Sequence, residues 1–200
     1  MRRVIAYLAV IIMLGVGTMS AAQAQNHVAI LMPGAGGAVP GDFLVRNQGR
    51  IESAGIRTIV TTSPAQAASI SQSETAKGNK VVIVAMSLGV THAASALASG
   101  AKVKGAVFVS GVYDEAKSNL GSASLLPTTL MIHHAADKCR LTTPEIARSF
   151  AQWSGGKATI RWINTSGGAD PRPCGPNGAH GFFLQDGPAV SAITNFIRSR

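Results

Sequence analysis

The run Val81-Val-Ile-Val-Ala-Met-Ser-Leu-Gly-Val90 constrains this chain more than any other stretch. An apolar segment of this length, with no polar alternation, reads as a strand buried on both faces, as in a parallel sheet covered by helices on each side. The Ala-rich segment that follows, Thr91 to Ala98, reads as a helix. Ser87 therefore falls on a tight strand-to-helix turn. Such a turn is strained and tolerates only small residues two positions to either side, here Ala85 and Gly89. It lifts the serine hydroxyl above the carboxyl edge of the sheet. The bland alternative is an ordinary βα turn that happens to carry a serine.

The rest of the chain repeats the same alternation. Strands are expected near His27 to Met32, Gly55 to Thr61, Lys80 to Met86, Lys104 to Val109, Thr128 to His133 and Lys157 to Ile163, with helical stretches after most of them and a final helix over Ala189 to Arg198. Gly55 and Gly78-Asn79 punctuate helix ends, as a left-handed cap requires. Six strands joined by crossovers imply an α/β three-layer sandwich, a mainly parallel six-stranded sheet with helices on both faces. A length of 200 residues with 46% hydrophobic and 14% charged residues suits one such domain with a substantial core.

A serine hydroxyl is a poor nucleophile unless a histidine takes its proton and an acid holds that histidine. Asp137 follows the strand that ends at His133, and His180 lies in the Gly-rich loop Gly175-Pro-Asn-Gly-Ala-His-Gly-Phe-Phe183 after the sixth strand. Serine, acid and histidine thus occur in that chain order, each just past the carboxyl end of an expected strand, the edge at which open parallel sheets build their sites. Asp114 also follows a strand and is the competing acid. The first strand runs into Pro33-Gly34-Ala35-Gly36-Gly37, a loop flexible enough to aim backbone N–H groups at an oxyanion. The two donors are assigned to the amides of Leu88 and Ala35. A phosphate-cradling loop is the alternative, but the segment has neither the Lys-Ser/Thr pair of a P-loop nor a full G-x-G-x-x-G. Met86 and Phe182 are the candidate walls of a substrate pocket, with core packing the alternative for Phe182.

On these residues the chain resembles the α/β-hydrolase family. Ala85-Met-Ser-Leu-Gly89 stands where the family has its G-x-S-x-G elbow, Pro33-Gly34-Ala35 where it often has His-Gly-x, His133-His-Ala-Ala-Asp137 as an acid loop and His180-Gly-Phe182 as a base loop. The resemblance covers nearly all of the chain after its first two dozen residues. It implies Ser87 as nucleophile, His180 as general base and acid, and Asp137 as the orienting carboxylate. Alanine for the first elbow glycine also occurs in some small lipases of the family, whereas Pro33 departs from the usual histidine and bears on Ala35. Larger members insert a cap domain after the fourth strand. Here only Gly111 to Leu126 is available, so the resemblance implies a minimal, lidless member whose open site has Asp114 and Leu120 to Leu126 at its rim.

The amino terminus reads as a secretory leader. Met1-Arg-Arg3, an apolar stretch from Val4 to about Val16, and Ala22-Gln-Ala24 supply the three regions of a cleavable signal peptide, residues 1–24, leaving 25–200 as the single domain. The apolar run is short for a membrane span, so no stable span is expected once the leader is gone. Export to the periplasm or the medium changes how the two cysteines read. An even count in an oxidising compartment suggests a disulfide between Cys139, two residues after the acid, and Cys174, six before the base. Two cysteines without suitably spaced histidines do not make a zinc site, and the chemistry calls for no metal and no organic cofactor.

The formal charge of +9 falls to +7 with the leader removed, and the remaining Lys and Arg are scattered. Without clustering or interleaved aromatics, nucleic acid is not an expected partner. Among the other residues that could be mistaken for catalysts, His92 reads as a packed helix histidine. His133 and His134 point to opposite faces of their strand and make a poor chelating pair. Asp170 reads as a solvated loop residue, and Trp153 and Trp162 as packing. Two functions are compatible with all this: a serine hydrolase acting on a small-molecule or polymer-borne acyl ester, with an amide or thioester as the alternative substrate, or a catalytically inactive protein of the same fold that uses its cleft for binding or protein interaction. Oligomeric state is not legible.

Overall fold

Val, Ile and Ala dominate the segments that pair, and their pairing is parallel throughout. The computed structural model describes residues 26–164 and 170–200. Its strands are β1 (His27–Met32), β2 (Arg57–Val60), β3 (Lys80–Met86), β4 (Gly105–Val109), β5 (Thr129–His134) and β6 (Ala158–Ile163), in the spatial order β2-β1-β3-β4-β5-β6. β3 and β4 at the centre are buried almost throughout, whereas the edge strands β2 and β6 are partly exposed. The sheet order reverses between β1 and β3, so the crevice above their carboxyl ends is the topological switch point where such sheets place their sites.

Alternate residues of each strand feed two separate cores. Ile30, Ile83 and Phe108 pack on one face under α3 (Pro64–Ala76), α4 (Gly89–Ala98), α5 (Tyr113–Leu120) and α6 (Pro144–Trp153). Leu31, Val84 and Val107 pack on the other under α1 (Phe43–Arg46), α2 (Gln48–Glu52) and α7 (Asp186–Arg198). The expected three-layer α/β sandwich is therefore present.

The differences from the expected boundaries are local. β2 starts at Arg57 rather than Gly55, because Gly55 takes φ 79° to close the turn after α2, its N–H donating to Glu52 O at 2.8 Å. β5 runs one residue further than expected, carrying His134 into the ladder beside Ile163 of β6. Between β4 and β5 lie only α5 and a single 3-10 turn, Ala123–Leu125, with no inserted cap. No helix among the described residues is long and apolar enough to cross a membrane. The leader, residues 1–24, lies outside the described residues.

Candidate active site

The turn after β3 is built by the sheet itself. Ser87 sits at φ 52°, a left-handed conformation that side chains adopt only when the surroundings hold them there. Those surroundings are backbone: Ser87 N–H donates to Val109 O at 2.9 Å, and Val112 N–H donates to Ser87 O at 3.2 Å. Gly89 explains the second small position of the motif. A Cβ there would overlap the carbonyl oxygens of Met32 and Pro33, so only glycine lets α4 start this close to the end of β1.

The other two residues arrive on loops and meet the serine. His180 Nε2 is 3.1 Å from Ser87 Oγ, and His180 Nδ1 is 3.0 Å from Asp137 Oδ2. His180 and Asp137 are both buried, at 3% and 4% exposure. Asp137 Oδ1 accepts the Cys139 N–H at 2.9 Å, and Oδ2 accepts the Thr142 hydroxyl, also at 2.9 Å. Asp114, the competing acid, is exposed in the first turn of α5 and has no contact with His180. The structure thus brings Ser87, His180 and Asp137 together and leaves Asp114 out.

Cys139 and Cys174 form the expected disulfide, joining the acid loop to the base loop across 35 residues of sequence. The segment carrying His180 has further fastenings that sequence reasoning missed. Asp170, expected to be solvated, has a side chain only 3% exposed. It accepts the backbone N–H of Arg172 at 3.0 Å and of Asn177 at 3.2 Å, and lies so close beneath Gly175 that a Cβ there would overlap its carboxylate. The Arg172 N–H and side chain hold its carboxyl below the usual range. Arg46 reaches across from α1, donating to Gly181 O at 2.5 Å, to Asp186 Oδ1 at 2.8 Å and to Gly41 O at 3.0 Å.

Leu88 and Ala35, the expected oxyanion donors, both line the cleft beside Ser87. The loop that carries Ala35 is set by Asp42, a residue the sequence reading passed over. One carboxylate oxygen accepts the Gly34 N–H at 2.9 Å while the other caps α1 through Leu44 N–H at 2.8 Å. An Asp just before the apolar Phe43-Leu44 is an ordinary helix-start signal and was available in the sequence. Thr142 carried no such signal, since the cap of α6 is its neighbour Thr143.

A cleft of about 500 Å³ opens over these residues. Its walls are largely apolar, with Val39, Phe43, Met86, Val112 and Leu141 among them and Asp42, Glu115 and Arg172 as charged groups. Met86 is one of the walls. Phe182 is not: it is fully buried, 5.5 Å from the Phe43 ring and 6.2 Å from that of His134, and belongs to the core under α7. Its φ of 57° turns the chain immediately after His180 and Gly181, sending the ring inward while the imidazole faces the serine. Nor do Asp114 and residues 120–126 form the rim. Leu120 and Leu126 are buried, and the cleft is bounded instead by the acid loop, the base loop, the 34–42 segment and the start of α5 at Val112 and Glu115.

The remaining histidines divide as their positions predict. His92 is half-buried on α4 away from the cleft. His134 Nδ1 accepts the Ala136 N–H at 3.0 Å and so shapes the acid loop. His133 is fully buried between Tyr113 and Trp162, its Nε2 3.7 Å from Asp137 Oδ2. Burial pushes its pKa down to about 4, against the opposing pull of Asp137. Among the described residues no group of three or more His, Cys, Asp or Glu is placed to hold a metal ion.

No protein-family model matches the chain, and no curated protein matches it in sequence. Solved structures do match in fold. An α/β hydrolase enzyme, MGS-MChE2, from a lagoon-sediment metagenome of Mar Chica, Morocco, shares 16% identity at a TM-score of 0.59, covering 88% of this chain and 92% of that one. A Coxiella burnetii protein described as an alpha-beta serine hydrolase homologue shares 12% at 0.60, covering 86% and 84%. An esterase from Pyrococcus furiosus shares 9% at 0.63, covering 88% and 83%. At these identities the likeness is one of fold, and the fold is that of the α/β-hydrolases.

Proposed function

We propose that this chain is an exported serine hydrolase that cleaves a carboxylic ester through an acyl-enzyme. The observation that carries this reading is the continuous hydrogen-bonded line Ser87 Oγ, His180 Nε2, His180 Nδ1, Asp137 Oδ2, with successive partners 3.1 and 3.0 Å apart, at the floor of an open apolar cleft. A fold of this kind used only for binding has no need to aim a buried histidine at a strained serine. The hydrolase and esterase neighbours share the architecture and support the same class.

In this mechanism Ser87 Oγ attacks the ester carbonyl as His180 Nε2 takes its proton, and Asp137 stabilises the imidazolium through Nδ1–H. The oxyanion forms against the N–H groups of Leu88 and Ala35, one such donor being worth about 3 to 4 kcal/mol of transition-state stabilisation. His180 then passes its proton to the leaving alcohol. Water enters the open cleft, gives its proton to His180, and attacks the acyl-serine, which is released as the acid when His180 returns the proton to Ser87 Oγ. The apolar walls favour an uncharged aliphatic acyl group over a charged one.

The test is labelling of the purified protein with a fluorophosphonate, alongside Ser87→Ala and a series of p-nitrophenyl esters. Labelling and hydrolysis that vanish in the variant are expected. A folded wild-type protein that neither labels nor hydrolyses would leave the binding-protein reading in possession of the cleft. The exported location is part of the same proposal, supported by the leader-like amino terminus and by a disulfide that suits an oxidising compartment. Mass spectrometry of the protein recovered outside the cytoplasm should find an amino terminus at Gln25.

A further inference from the structure

Thr142 is fully buried beside the acid and the base, and its hydroxyl touches both. Thr142 Oγ1 is 2.9 Å from Asp137 Oδ2 and 3.0 Å from His180 Nδ1, and those two atoms are themselves 3.0 Å apart. Three polar atoms thus form a closed triangle. An ionised carboxylate offers only acceptors, so the hydroxyl proton points to Asp137. The Thr142 oxygen then presents lone pairs to His180, as Asp137 does. Nδ1 faces two acceptors and must carry a proton, which leaves Nε2 bare toward Ser87.

We propose that Thr142 is a positioning residue that fixes His180 in the Nδ1–H tautomer and locks the plane of the Asp137 carboxylate. This rests on the serine-hydrolase reading above, because the bare Nε2 is what a general base needs. The lock is complete within one loop: Cys139 N–H holds Oδ1, the Thr142 hydroxyl holds Oδ2, and Thr142 N–H closes the turn on Cys139 O at 3.0 Å. His133 is no substitute, since its Nε2 stands 3.7 Å from Oδ2, beyond hydrogen-bond length. Without the hydroxyl, the carboxylate loses one of its two protein anchors other than His180 and the imidazole loses its second acceptor.

The experiment compares Thr142→Val, which keeps the shape and removes the hydroxyl, with Thr142→Ser, which restores it. With a p-nitrophenyl ester, Thr142→Val should lower kcat by about 10- to 100-fold with KM little changed, and Thr142→Ser should recover to within about threefold of wild type. Equal losses in both variants, or none in Thr142→Val, would overturn the proposal. Nitrogen-15 spectra of the His180 ring read the tautomer directly on folded wild-type protein, with no turnover and no variant required. A protonated Nδ1 with a bare Nε2 is expected, and the reverse tautomer would overturn the proposal even if Thr142→Val failed to fold. Absent hydrolysis with the Nδ1–H tautomer intact would instead count against the hydrolase reading alone.

Discussion

The nucleophile turn and the base loop meet at one hydrogen bond, yet they are held by different means. Ser87 is fixed by backbone: β3 paired on both sides, its own N–H on Val109 O, and α4 starting directly behind it. His180 lies in a segment, 170–185, with no strand and no helix. It is fixed by a disulfide, by the Asp170 carboxylate inside its turn, and by the Arg46 guanidinium clamping it from α1. One partner is part of the fold and the other is fastened to it. The consequence is that damage to the first should be global and damage to the second should be local.

Paired glycine substitutions give the largest effects and separate the two. Gly89→Ala drives a Cβ into the carbonyl oxygens of Met32, the last residue of β1, and Pro33 just after it, where the paired strand holds both in place. We expect a loss of about 5 kcal/mol or more, seen as a fall in Tm or as failure to accumulate folded protein. Gly181→Ala drives a Cβ into Pro176 O, a clash of the same severity between two residues of the loop. That loop has no strand or helix and can open locally between 176 and 181, so Tm should fall far less while fluorophosphonate labelling is lost. Equal falls in Tm would erase the distinction between the two regions.

The same contrast explains what could be read from the sequence. The β3 run, the small residues around Ser87 and the order serine, acid, histidine were legible because periodic burial and a strained turn leave local compositional traces. The disulfide was legible from cysteine count and placement. Phe182 was misjudged because its fate turns on a backbone reversal at φ 57°, and no residue type in Gly181-Phe182-Phe183 announces which ring goes inward. Asp170 was misjudged because a Gly- and Pro-rich segment looks solvated until its carboxylate is seen to be the centre around which the loop folds. Arg46 and Thr142 act across long sequence separations, or beside a stronger local signal, and contacts of that kind have no spacing rule.

Opening the disulfide tests the fastened half alone. In the chain-entropy model a closure of this length contributes about 4 kcal/mol, and Cys139→Ser with Cys174→Ser should cost that order. Limited proteolysis should then cut first within 170–185, with the β3–α4 region still protected. Early cleavage near residues 87–90 would mean that the nucleophile turn depends on the loop after all.

Acid sharpens the comparison from the side of Asp137. His133 stays neutral in the fold down to about pH 4, whereas in the unfolded chain it takes up a proton near its ordinary value of about 6.5. Its folded pKa is the lower one, so stability is full above about pH 6.5 and falls as pH drops toward about 4, by up to about 3 kcal/mol. Asp137, His134, His180 and Tyr113 surround the ring, so the readout is a difference. The drop in Tm between pH 7 and pH 4.5 should be smaller in His133→Asn than in wild type. An unchanged drop would remove His133 as its source.

The smallest expected effect isolates the clamp from α1. Arg46 donates from Nη1 to Gly41 O, from Nη2 to both Gly181 O and Asp186 Oδ1, and from Nε to Asp186 Oδ2, with a side chain 18% exposed. A lysine offers a single point of charge on a flexible stem and cannot span all three. Arg46→Lys should therefore cost only about 1 to 2 kcal/mol, since water reaches the pair and part of the contact to Asp186 survives. Its signature is spatial. Amide hydrogen exchange should quicken across 176–185, where the loop has lost its anchor, and stay unchanged at Ser87, whose N–H is bonded to β4. Uniform quickening across the molecule would mean that Arg46 serves general stability, and that the base loop is held by the disulfide and Asp170 without it.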